Sequence, residues 1–274
     1  MNDDSRIAGV SPEMFGRIRE VLTGIEHEER VRICLAVETG SRASGLASPT
    51  SDHDVRFVYV RRTEAYLDAG IRSTRDVIER PIDAGLDVNG WDVRKALGQY
   101  SKSNTSLMEW LQMEGVYMER FTLAAGLREL MPTAYSPRAS FHTYLNRARN
   151  DAKRNMSGAV SPKGFLLVLQ GLLAMRWLHH GLGPVPCDFH RLFKAVLNEQ
   201  VIARDVESVL DLRRSATDVD VAVRWPHLVS FVEDGIAAMA AAGDDLPVAQ
   251  VEPDELDRLF RAALREAWGP EIPQ

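Results

Sequence analysis

Cysteine is nearly missing from this chain: Cys34 and Cys187 are the only two among 274 residues. So small a number excludes a disulfide-built scaffold, and neither cysteine has the neighbours or spacing of a zinc site. Cys34 lies in an apolar run and reads as a small buried hydrophobe. Long apolar runs are absent as well, so no segment reaches membrane-spanning length and no membrane partner is expected. The polar start Met1-Asn2-Asp3-Asp4-Ser5-Arg6 lacks a secretory pattern, which makes a cytoplasmic location the expectation. Repeats, heptads and low-complexity tracts are also lacking, apart from the alanine-rich helix-former stretch at 237–242. Positive charge is in deficit, 33 Lys and Arg against 39 Asp and Glu. The resulting net charge of −6 argues against tight non-specific binding to nucleic acid, while leaving recognition of an RNA end open.

What the chain does have is apolar material, 45% of its residues, enough for one large or two modest domains. Prolines and small residues interrupt the pattern at 132–137 and divide the chain into 1–131 and 138–274. In the first part, Ser11 caps a helix with Pro12 in its first turn and Met14, Ile18, Val21, Leu22 and Ile25 on its apolar stripe. Strands are expected at 31–38, 54–60, 75–80 and 85–91, forming a mixed sheet, with helices at 93–101 and 105–113. The second part reads as helical throughout: 138–155, 162–180, 188–197, 200–214, 226–242 and 253–267. The fold class is α/β (α+β), a mixed sheet with helices and a C-terminal helical domain. The segment around Phe165 to Trp177 is too apolar for a surface helix and forms the core of that domain. Within it Arg176 requires a partner or a ligand, and His179-His180 marks the helix end before Gly181.

The chemistry concentrates in Gly40-Ser41-Arg42-Ala43-Ser44-Gly45, followed by Ser51-Asp52-His53-Asp54-Val55-Arg56. Side chains alternate along a strand, so Asp52, Asp54 and Arg56 share one face. Adjacent carboxylates raise each other's pKa unless a cation lies between them, and Mg²⁺, or Mn²⁺ in its place, takes such hard oxygen ligands while keeping positions for substrate phosphates. Gly40-Ser41 turns the preceding strand into a short helix at 42–46, and glycine there lets backbone approach a phosphate closely.

This order of strand, Gly-Ser turn, spacer and Asp-x-Asp strand resembles the DNA polymerase β-like nucleotidyltransferase superfamily. Thr39 stands at its usually apolar position. Glu38 to Ala43, Ser51 to Val60, Arg75 to Glu79, Asn89 to Leu97, Lys102-Ser103-Asn104 and Glu109 to Gln112 resemble its bacterial and phage predicted-nucleotidyltransferase branch, which includes RNA-ligase-associated members. The similarity runs from about Glu38 to Trp177, with Gln170-Gly171 where relatives often carry Arg-Pro.

The resemblance implies transfer of a nucleoside monophosphate from a nucleoside triphosphate to a hydroxyl, with pyrophosphate released. It also implies a third carboxylate on a neighbouring antiparallel strand, for which Asp87 and Asp92 compete. Helical spacing after Asp92 makes that residue a helix cap and leaves Asp87 as the strand carboxylate, with Asp92 as the alternative. Asp52, Asp54 and Asp87 would then be the catalytic metal ligands in two-metal chemistry. Gly40, Ser41, Arg42, Arg56, Lys95 and Lys163 are the candidate nucleotide contacts. The acceptor is an RNA end, or alternatively a protein or small molecule; a non-catalytic nucleotide-binding module is the remaining alternative. The basic stretch at 136–155, with Arg138, Arg147, Arg149, Lys153 and Arg154, accompanies Phe141, Tyr144, Leu145 and Ala148 at helical spacing, which reads as a buried stripe with a charged outer face.

Overall fold

The computed structural model describes residues 9–67 and 75–269. The polar start at 1–6, read above for its lack of a secretory pattern, lies outside the described residues.

Helix α1 (Pro12–Glu29) starts where sequence chemistry places it, with the Ser11 hydroxyl accepting from the Met14 amide at 3.2 Å and Pro12 in the first turn. Its Ile18, Leu22 and Ile25 press on one face of a five-stranded sheet, against Val31, Ile33, Val55, Phe57 and Val88. The strands are β1 (Val31–Thr39), β2 (His53–Arg61), β3 (Val77–Asp83), β4 (Leu86–Asp92) and β5 (Val116–Glu119), in spatial order β3-β4-β2-β1-β5. Between β1 and β2 lies the short α2 (Gly40–Ala43), and α3 (Glu64–Leu67) follows β2. β1 pairs antiparallel with β2 and β5, and β3 pairs antiparallel with β4. β2 and β4 pair in parallel, with Asp54 opposite Asp87 and Tyr59 opposite Asp92. The neighbouring-strand geometry expected from the resemblance was antiparallel; the observed parallel pairing follows from β3, which reverses the chain before β4 enters beside β2.

The other sheet face meets helices. α4 (Val93–Tyr100), α5 (Thr105–Leu111) and α6 (Leu123–Ala134) are followed by α7 (Pro137–Asn155), α8 (Pro162–His179), α9 (Phe189–Val196), α10 (Gln200–Arg214), α11 (Val221–Arg224), α12 (Pro226–Met239) and α13 (Pro253–Trp268). α8 is apolar around most of its circumference and packs against α7, α9, α10 and α12, as a central helix must. Arg176 finds its partner in Glu199 at 3.0 Å and lies over the Phe231 ring. α13 returns to α4 and α6, and the Trp268 indole donates to the Arg61 carbonyl at 2.8 Å. A single apolar cluster therefore runs from Leu35 and Val58 in the sheet to Phe165 and Leu172 in α8 and Leu264 in α13.

Four elements escaped the sequence pattern, the one-turn helices α3 and α11 together with β5 and α6, and the short helix expected at 42–46 begins earlier, at Gly40. β5 has four residues of which only Tyr117 is buried, too short for alternation to register. α6 continues through Pro132 to Ala134, because a proline in the last turn forfeits one hydrogen bond while Leu123, Leu127 and Met131 remain in the core. The chain interruption thus falls at Tyr135-Ser136, with the Ser136 hydroxyl capping α7.

Candidate active site

β2 and β4 divide their side chains between the two sheet faces. Val55, Phe57 and Val88 point to the α1 side, while Val58 and Val60 join the helical core. By the same alternation Asp54, Arg56 and Asp87 face the helices. The parallel register sets Asp54 beside Asp87, and the Arg56 guanidinium stands between them, 2.7 Å from Asp87 Oδ2 and 3.6 Å from Asp54 Oδ1. Asp52 lies just before β2 and reaches Gly85 in the turn between β3 and β4. Burial holds the Asp54 carboxyl above the usual aspartate range; Arg56 and Lys163 oppose that shift, and the charges of Asp87 and Asp52 reinforce it.

Asp54 is held by Glu38, which the sequence pattern did not single out as a site residue, and by Thr39 and Gly40. Glu38, 2% exposed, accepts from the Asp54 amide at 3.0 Å, from His53 Nδ1 at 3.2 Å and from the Tyr117 hydroxyl. Its buried carboxylate is satisfied on several sides, which fixes the entry of β2 relative to the end of β1. Thr39, the departure from an apolar position, donates its hydroxyl to the Asp54 carbonyl at 2.8 Å. Gly40 adopts φ +63°, and a β-carbon there would lie 2.1 Å from Asp54 Oδ2. Only glycine permits both the left-handed backbone and the close approach of that carboxylate.

A cavity of about 260 Å³ opens beside this face, between the sheet and the helices. Gly40, Ser41 and Asp54 line one wall, and Lys163, Gln170 and Arg213 line the other. Arg213, from α10, donates to the Leu46 carbonyl at 3.0 Å and to Ser51 Oγ at 3.1 Å, tying the helices to the loop that delivers Asp52. Glu109 of α5 also lines the cavity; burial pushes its carboxyl up, opposed by Arg147 and by the Tyr144 hydroxyl, which donates to it at 2.9 Å. An acidic residue inside the apolar run Leu107-Met108-Glu109-Trp110-Leu111 was the available signal for it. Arg213 offered none, since its partners are 162 and 167 residues away in sequence.

Gly40, Ser41, Arg56 and Lys163 are thus brought to Asp54. Arg42 is not, because its guanidinium is engaged by the carbonyls of Gly9, Ser51 and Asp52. Lys95 is not either: it pairs with Asp76 at 3.2 Å, beyond the far end of β4. Asp92 occupies that same end, five register positions from Asp54, or roughly 16 Å at the usual strand rise. There it caps α4 by accepting from the Arg94 amide at 2.9 Å and also accepts from the Tyr66 hydroxyl at 2.9 Å.

Among the described residues no three His, Cys, Asp or Glu side chains are drawn to metal-ligand spacing. The donor set nevertheless fits a hard divalent cation: two in-register carboxylates converge on one cationic nitrogen of Arg56, and Asp52 is near enough to raise the Asp54 pKa.

A Gly-Ser turn packed against paired strand carboxylates at the edge of a cleft defines a nucleotidyltransferase of the polymerase β class. Residues 14–262 match RlaP, described as the RNA repair pathway DNA polymerase beta family, and the chain belongs to it. The chain is similar to the uncharacterized protein YcgL of Bacillus subtilis (strain 168), at 38% identity over 258 residues, 93% of this chain and 98% of that one. Among solved structures it is similar to a nucleotidyltransferase-like protein from Exiguobacterium sibiricum 255-15, at 14% identity and a TM-score of 0.33, covering 89% of this chain and 80% of that one. No helix among the described residues is long and apolar enough to cross a membrane.

Proposed function

We propose that the chain moves a nucleoside monophosphate from a nucleoside triphosphate to the hydroxyl of an RNA end, as a cytoplasmic enzyme dependent on Mg²⁺ or Mn²⁺. The observation behind this reading is the in-register pair Asp54 and Asp87, of which Asp54 lines a cleft together with Gly40, Ser41 and Lys163. The family's description as part of an RNA repair pathway supports the choice of acceptor.

Asp52, Asp54 and Asp87 would hold the metal, which supplies Lewis-acid stabilisation of charge at the α-phosphate and pyrophosphate. Ser41 and Lys163 bind the triphosphate tail, and the cleft wall of α8 orients the nucleotide and excludes water. The acceptor hydroxyl oxygen forms a bond to the α-phosphorus as the bond to the pyrophosphate oxygen breaks. The hydroxyl proton passes to water at the carboxylate face. Arg56 bridges these carboxylates and offsets their charge before substrate arrives, and then pairs with phosphate oxygens. The two parts, 1–131 and 138–274, divide the labour as a catalytic domain and a helical domain that walls the nucleotide cleft.

The test is pyrophosphate release from ATP, GTP, CTP and UTP in turn, with Mg²⁺ or Mn²⁺, with and without short RNA. Release that depends on RNA and disappears with Asp54→Ala is expected. Release unaffected by that substitution would remove the site assignment.

A further inference from the structure

Beyond the nucleotide cleft, across Gly40 and Glu109, lies a second and more open groove of about 550 Å³. Arg56, Asn89 and Trp91 form its floor from the sheet, and Asn104, Thr143 and Arg147 form its walls from the helices. Trp91 is half-buried, its ring tilted at 45° to that of Trp110 with the centroids 4.4 Å apart, and is thus packed in place at the groove surface. Amide and hydroxyl groups around an aromatic surface suit the edge and face of an unpaired nucleobase.

The outer face of α7 leads away from this groove. Thr143 and Arg147 at its rim continue along the helix into Asn150 and Arg154, with Arg149 and Lys153 on the adjoining strip. All six are exposed, while Phe141, Tyr144, Leu145 and Ala148 fill the core on the opposite side. Among the described residues, Arg149, Lys153 and Arg154 make no ion pair, although Arg147 is shared between Glu109 and Asp151. Unpaired cations on the helix that walls this aromatic groove form a local exception to the chain's net negative charge.

We infer that this groove and the exposed face of α7 bind the single-stranded end of the acceptor, resting on the nucleotidyl-transfer reading above. The terminal base lies on Trp91, the terminal hydroxyl points past Arg56 to Asp54 and Asp87, and the upstream phosphates follow Arg147, Arg149, Lys153 and Arg154. A duplex has no free base face to offer Trp91, so single strands are selected over duplex.

Fluorescence anisotropy with a labelled single-stranded RNA, the matching DNA and the RNA duplex tests this on the intact chain, with ATP binding measured in parallel. Two variants on exposed helix surface keep the fold: Thr143→Glu, and Arg149→Gln with Lys153→Gln and Arg154→Gln. Each is expected to weaken single-strand binding roughly tenfold or more, and the triple variant to lower the salt dependence by about two in log–log slope. ATP binding should not change. Single-strand binding that both variants retain would overturn the groove while leaving an RNA acceptor intact. Tighter binding of duplex would overturn the role of Trp91. If no nucleic acid binds while nucleotide is transferred to a protein or small molecule, the inference falls but the transfer chemistry stands.

Discussion

At the residue scale the site is a problem in charge. Asp54 must lose its proton to serve a cation, yet burial and two neighbouring carboxylates make it hold that proton more tightly than a solvated aspartate. In the metal-free chain the Asp54 carboxyl should therefore titrate above the ordinary aspartate range, and Arg56→Gln should move it higher still, because Arg56 is the largest influence lowering that pKa. A carboxyl-resolved NMR titration of the metal-free chain checks both. The same shift has a consequence for stability. A folded-state pKa raised above the unfolded value contributes stability below the unfolded pKa, and that contribution is lost as pH rises through the folded pKa. Asp54→Asn should thus unfold at a higher temperature than the parent at neutral pH, with the advantage vanishing in acid. Glu38 acts one step further out. Glu38→Gln leaves the packing volume but disturbs the acceptor of the Asp54 amide, and a loss of about 10²-fold in kcat with little change in triphosphate KM is expected.

At the element scale, β4 and its cap separate the two acidic candidates. Asp87 and Asp92 lie on one strand of seven residues, and the register with β2 alone decides which meets Asp54. Asp92→Ala should cost about 1 kcal/mol or more in denaturant unfolding, for the cap and the Tyr66 bond, while turnover persists at temperatures where the fold is intact. Much of this level was legible in the sequence. Alternation predicted β2 and placed Asp54 with Arg56 on one face, and Ser11 with Pro12 marked the start of α1; the same serine-proline pairing caps α7 and α8 in the structure. Strand pairing was not legible, because periodicity says which face a residue takes but nothing about the neighbour beside it. Arg42 and Lys95 show the same limit for charges: both carry the right group for phosphate, yet their partners are backbone carbonyls and Asp76, fixed only by folding. Arg213 reached the site wholly through tertiary packing.

At the scale of the whole molecule, the continuous core makes the helices a fixed wall for the cleft, reached through a few polar ties. Arg213 binds the loop before Asp52, and the Phe189 amide binds the Ser44 carbonyl at 3.0 Å. Nucleotide should therefore stabilise the whole chain, by about 2.7 kcal/mol at a hundredfold excess over Kd. Arg213→Ala should shrink the thermal shift at a given ATP concentration, because the wall and the loop no longer hold the cleft at one width. An equal shift in both proteins would assign Arg213 to folding alone.

The most direct test of the central claim follows the α-phosphate itself. With α-labelled nucleoside triphosphate, Mg²⁺ and a short single-stranded RNA, the parent chain should attach label to the RNA. The Asp52→Asn, Asp54→Asn variant, folded by circular dichroism, should attach none. Label transferred at the parental rate by that variant would contradict the account, because the carboxylate face of β2 would then be no part of the reaction.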